Sequence, residues 1–148
     1  VDERDCYISE VMYSHPSGIN CARGKGGQVA VINPFGRIYR SDNWTMGSSV
    51  NEIFNKFMKL KPMILCRTNK QVKAIEETKY FEVSTVHQAK GLEYKSVVVI
   101  DTTISNSEDL NIAYVAMTRA EDNLLVINWQ QFEHLFKIYM NKNAFGGF

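Results

Sequence analysis

A chain of 148 residues with 45% hydrophobic side chains is the size of one domain built round a single core. Lys and Arg number 17 against 16 Asp and Glu, and a formal charge of +1 does not by itself announce a nucleic-acid binder. Three cysteines with no C-x-x-C pair suggest neither a disulfide framework nor a zinc site and fit a reducing cytoplasm, while no apolar run approaches the roughly 18 residues needed to cross a bilayer.

In chain order, "VDERD" is neither a signal peptide nor a natural start, so the chain reads as a piece of a larger protein. Gly, Pro, Ser and Asn mark loops over 14–27 and 33–47, with "QVAVI" (28–32) between them as a strand. "SSVNEIFNKFMKL" predicts a helix capped by Ser48 or Ser49, with Val50, Ile53, Phe54, Phe57 and Leu60 on one stripe. "MILC" (63–66) reads as a strand, and "NKQVKAIEETK" as a helix with Asn69 available as its cap. Two further strands, "FEVST" (81–85) and "SVVVI" (96–100), flank the turn "HQAKGLE". "SNSEDLNIAYVAMTRAED" predicts a helix running to about Arg119, with Ser105 and Glu108 at capping-box spacing and Tyr114 and Met117 in the core. The strand "NLLVIN" (123–128) follows, then an amphipathic helix with Phe132, Leu135, Phe136 and Tyr139 on one face and a frayed end over about 142–148.

Strands alternating with helices predict an α/β fold, a parallel sheet of about five or six strands covered by helices, in one domain spanning 1–148. Basic residues cluster without acidic neighbours at Arg23, Lys25, Arg37 and Arg40, and again from Lys56 to Lys73. Such segments either track phosphates or are solvated lysines on helix faces.

Open parallel sheets bind ligands beyond the carboxyl ends of their strands. The polar clusters "RTN" (67–69), "HQAKGLE" (87–93) and "DTT" (101–103) follow predicted strands, and Arg, His and Lys there suggest an anionic ligand. "GINCARGKGG" lacks the G-x-x-x-x-G-K-[ST] spacing of a phosphate-cradling loop, so the chain alone is not expected to hydrolyse a nucleoside triphosphate. His15, His87 and His134 lack metal-ligand spacing, and no metal site is expected.

Taken together, "ILCRTN", "STVHQAKGLEYKSVVV" and "NIAYVAMTRAEDNLLV" resemble motifs of the second RecA-like motor domain of superfamily 1 helicases of the UvrD/PcrA/Rep type. The T-x-H-x-x-K-G-L-E turn is matched by Thr85, His87, Lys90, Gly91, Leu92 and Glu93, and Y-V-A-x-T-R-A by Tyr114 to Ala120. The resemblance implies a RecA-like fold, similar to the P-loop NTPases but lacking Walker A, acting in an ATP-dependent DNA helicase. ATP with Mg²⁺ would sit at an interface with the N-terminal RecA-like domain, and single-stranded DNA would be the other partner. It implies that Arg119 is an arginine finger, with Arg4 a second contact to the γ-phosphate; Arg40, in "IYRSD", is the rival for that second role. Gly91 and Glu93 would meet the ribose, whereas Thr85, His87, Lys90, Arg67, Thr68 and Asn69 would face the DNA backbone. The resemblance further implies movement from 3′ to 5′. Two alternatives stand beside it: the RecD-like branch of opposite polarity, whose turn usually reads K-S-Q-G, and a helicase-like module that binds nucleic acid or protein without turnover. The stretch between "ILCRTN" and "STVHQAKG" is too short for the large helical insertion of the best-known members.

Overall fold

The computed structural model describes residues 7–9, 28–40 and 44–146. Strands β1 (Gln28–Ile32), β3 (Met63–Cys66), β4 (Val83–Thr85), β5 (Tyr94–Asp101) and β6 (Ala120–Asn128) run parallel. Strand β2 (Ile38–Arg40) is antiparallel to β1 and closes one edge, giving the order β2-β1-β6-β5-β3-β4. The RecA-like α/β arrangement expected from the sequence is thus present, with β2 as a correction to the loop read over 33–47. The turn signals there are the hairpin itself: Asn33 Oδ1 accepts from the amides of Phe35 (3.0 Å) and Arg37 (2.8 Å), and Gly36 turns the chain at φ +87°. A strand of three residues is too short to show a period of two.

The sheet is buried on both faces, which is why β5 and β6 read as unbroken apolar runs. Successive residues still divide between two cores. Val98, Ile100, Leu125 and Ile127 pack beneath helices α1 (Val50–Lys59), α2 (Asn69–Glu76) and α4 (Trp129–Gly146). Val97, Val99, Leu124 and Val126 face α3 (Ser107–Met117) together with Val86 and Ala89 of the "HQAKGLE" crossing. Small Ala113 and Ala116 let α3 lie close on this second face, where it is held by Ile112 and Met117.

Helix ends follow capping chemistry more than the spacing read from sequence. Ser49 caps α1 in a capping box with Glu52. Thr68, not Asn69, caps α2, because Thr68 has the extended backbone (φ −125°, ψ 153°) that lets its hydroxyl accept from Gln71 N. Asn106, rather than Ser105, caps α3 by accepting from Asp109 N at 2.8 Å. Helix α3 stops at Met117, two residues before the predicted Arg119, because the Arg119 carbonyl accepts from Tyr94 N (2.8 Å) at the start of the β5–β6 ladder. Met117 is buried as expected, but Tyr114 is 48% exposed: it lies on the outward side of α3, away from the Ile112, Ala113 and Ala116 stripe. Helix α4 buries Phe132, Phe136 and Tyr139, and its backbone is helical to Gly146.

Beyond the carboxyl end of β5, Tyr7 bridges Thr103, Ile8 N donates to Thr102 O (3.2 Å), and Ser9 N donates to Asp101 Oδ1 (3.3 Å). Asp101 is 5% exposed, and among the described residues its other carboxylate oxygen has no hydrogen-bond partner. Burial pushes its pKa from 3.8 up to about 6, against the opposing pull of the nearby polar groups of Ser9, Ile8 and Thr102. Since the folded value lies above the unfolded one, the ionised form costs nothing below 3.8, its cost grows with pH through that window, and it is complete above about 6. At 1.36 kcal/mol per unit the ceiling is about 3 kcal/mol. Asp101→Asn is therefore expected to stabilise the protein at pH 8, by up to that amount, with the gain shrinking toward pH 4. Urea melts at several pH values check this, and a pH-independent difference between the two proteins contradicts it.

Candidate functional site

Both resembled motifs lie on the α3 face of the sheet. Strand β4 ends at Thr85 and β5 begins at Tyr94, yet the two are parallel to the intervening β3. Leu65 of β3 is level with Ser84 and with Val99, so Thr85 stands level with Ile100, six residues or roughly 20 Å above Tyr94. Residues 86–93 must cover that height, where parallel crossovers usually take about a dozen or more. They do so as a tight coil: Ala89 N donates to Thr85 O and Val86 O (both 3.2 Å), Lys90 N to His87 O (3.4 Å), and Leu92 N to Ala89 O (3.1 Å). Val86 and Ala89 face the core, leaving His87, Gln88 and Lys90 exposed.

This crossing divides the candidate residues between the two ends of the sheet. At the amino ends of β5 and β6, the half-buried Arg119 donates from Nη1 to Leu92 O, from Nε to Val115 O, and from Nη2 to Thr118 Oγ1, each at 3.2 Å. Each terminal nitrogen keeps one further N–H. Gly91 and Glu93, on either side of Leu92, are exposed. Glu93 borders a cleft of about 550 Å³ that also has Lys61, Glu82, Lys95, Ser96 and Asn123 in its walls. The expectation that all polar clusters gather beyond the carboxyl ends is thus corrected for Gly91 and Glu93, because the crossing carries them to the opposite end.

At the carboxyl ends lie the other candidates. Thr85 is buried, and its hydroxyl accepts from Gln88 N (3.3 Å), starting the coil that displays His87. The Arg67 Nη2 donates to Asp109 Oδ1 at 2.9 Å, tying the end of β3 to the first turn of α3. Asp109 Oδ2 accepts in turn from Ser105 N at 3.0 Å. From sequence Asp109 is only a charge suited to a helix N-terminus, and its pairing with Arg67 spans too many residues to be read there. The Thr68 hydroxyl is taken up by its cap, while Asn69 is exposed in the first turn of α2. Among the described residues no group of three or more His, Cys, Asp or Glu side chains could hold a metal ion.

Arg4 and the basic loop with Arg23 and Lys25 lie outside the described residues. The backbone of Arg40 pairs with Val31, itself level with Val126, roughly 20 Å up the sheet from Ala120 and two strands away from β6. Arg40 and Arg119 therefore belong to different ends of the sheet.

Residues 80–127 match the family model of the UvrD-like helicase C-terminal domain. The Gabija protein GajB of Bacillus cereus (strain VD045) is 41% identical over 63 residues, 40% of this chain and 13% of that protein. The chain thus matches only a small part of that relative's length.

Gly91 is the one residue of the crossing with a left-handed backbone, at φ +81°, and a Cβ built there meets nothing within 4 Å. Backbone strain alone should then set the cost of a side chain. Gly91→Ala is expected to lose about 1–2 kcal/mol in urea unfolding, and Gly91→Asn less, since Asn tolerates this conformation better. Equal stability of all three proteins contradicts the assignment.

Proposed function

We propose that this chain, whose residues 80–127 match the family model of the UvrD-like helicase C-terminal domain, is the C-terminal motor half of an ATP-dependent DNA helicase or translocase. Residues 1–148 are one RecA-like domain of a longer protein, a reading supported by the two cores that share a single sheet. The observation that carries the proposal is the 3.2 Å hydrogen bond from Arg119 Nη1 to Leu92 O. It joins the "YVAMTRA" motif to the "HQAKGLE" turn at one end of the sheet, while the exposed His87 stands at the start of the same turn near the other end.

The chemistry of the amino-end group fits a nucleotide. Arg119 holds a planar, permanently charged fork with an N–H on each terminal nitrogen that no described residue takes up, suited to charge building on γ-phosphoryl oxygens as the terminal bond breaks. Glu93 offers an acceptor for ribose hydroxyls, and Gly91 leaves open space beside it. Arg4 is the second phosphate contact in this reading. ATP supplies the free energy of phosphoryl transfer, and its Mg²⁺ and triphosphate-cradling loop belong to the N-terminal RecA-like domain of the same protein. Completing the site thus requires that partner.

His87 and Lys90 contact the phosphate and sugar of single-stranded DNA, with Arg67, Thr68 and Asn69 along the same path; Thr85 shapes the coil that presents them. The turn is then a lever. Nucleotide at Glu93 and Arg119 changes the grip of His87 and Lys90, as a translocase requires. The resemblance to the UvrD/PcrA/Rep helicases supports movement from 3′ to 5′.

Arg119→Ala in the full-length protein is expected to lower DNA-stimulated ATP hydrolysis by about 10³-fold with DNA binding retained. Unchanged turnover rules out the finger role, and no hydrolysis even in the wild type favours a binding module.

A further inference from the structure

Resting on the reading of Arg119 as a finger, we propose that Thr118 is its positioning residue. The finger is useful only if its guanidinium is held at a fixed orientation before the phosphoryl group arrives. Thr118 is half-buried at the C-cap of α3, between the helix and β6. Its hydroxyl has one proton, and that proton goes to Val115 O at 3.0 Å. The lone pairs are thereby turned toward Arg119, whose Nη2 donates to Thr118 Oγ1 at 3.2 Å.

Val115 O also accepts from Arg119 Nε at 3.2 Å, so carbonyl, hydroxyl and guanidinium close a small ring. With the Leu92 carbonyl on Nη1, all three guanidinium nitrogens are fixed by groups of this chain. Two of those three acceptors are backbone carbonyls and persist whatever the side chains. The Thr118 hydroxyl is the only one that sequence can remove. Without it, Nη2 loses its anchor and the fork turns about the remaining two bonds. A helix capped by an aliphatic residue of the same shape would still form, so the loss falls on orientation and leaves the fold intact.

The test uses the full-length protein and DNA-stimulated ATP hydrolysis. Thr118→Val keeps the side-chain shape and removes the hydroxyl, and Thr118→Ser keeps the hydroxyl. The expected result is a kcat lowered roughly ten- to hundredfold in Thr118→Val, with the KM for ATP and the affinity for oligonucleotide unchanged. Thr118→Ser should restore kcat. Thr118→Val combined with Arg119→Ala should be no slower than Arg119→Ala alone, because residues acting through one group are not additive. Wild-type kcat in Thr118→Val, beside a deficient Arg119→Ala, overturns the positioning role and leaves the finger standing. A loss that Thr118→Ser does not rescue, or that adds to Arg119→Ala, assigns Thr118 to stability alone and likewise overturns it. If Arg119→Ala itself turns over normally, the finger reading fails, and the inference falls with it.

Discussion

Strand β4 ends at the top of the sheet and β5 begins at the bottom, and residues 86–93 must join them across a buried face. A loop that short over roughly 20 Å cannot wander, since its backbone amides have no water on the inner side. Coiling satisfies them locally, and Val86 and Ala89 sink into the core between β3, β5 and α3. Every outward residue of the coil is thereby given a fixed height. His87 stands near the carboxyl ends of the strands and Glu93 near the amino ends, so one short segment reaches both ends of the sheet.

The same constraint places the arginine. Helix α3 packs beside the crossing through Ala113 and Ala116, then ends where Arg119 O meets Tyr94 N. Its guanidinium lies against the Leu92 carbonyl, at the foot of the coil. At the other end Arg67 and Asp109 tie β3 to the start of α3, so helix and crossing are linked to the sheet at both ends.

Much of this was legible in the sequence because the strands are apolar on both faces. "QVAVI" and "MILC" give β1 and β3 to the residue, and the motifs fix the order of the chemistry. Capping residues were less legible: Thr68 and Asn69, or Ser105 and Asn106, are chemically alike, and only backbone dihedrals separate them. Strand β2 was hidden by its length, and the exposure of Tyr114 by a helix whose apolar residues run nearly all round. The division of Arg67 and His87 from Glu93 and Arg119 needs the sheet register, and no local pattern carries it. Thr118 sits inside a recognisable motif, yet its orienting role emerges only from where the hydroxyl proton goes.

If the crossing couples the two ends, nucleotide and single-stranded DNA change each other's affinity. The deciding measurement is the affinity of the full-length protein for a single-stranded oligonucleotide, with and without a non-hydrolysable ATP analogue. The same pair of titrations is made on His87→Ala/Lys90→Ala. Coupling gives a nucleotide-dependent change of about fivefold or more in the wild type, mirrored in the effect of DNA on nucleotide affinity, and a ratio near one in the variant. The same ratio in both proteins would contradict it.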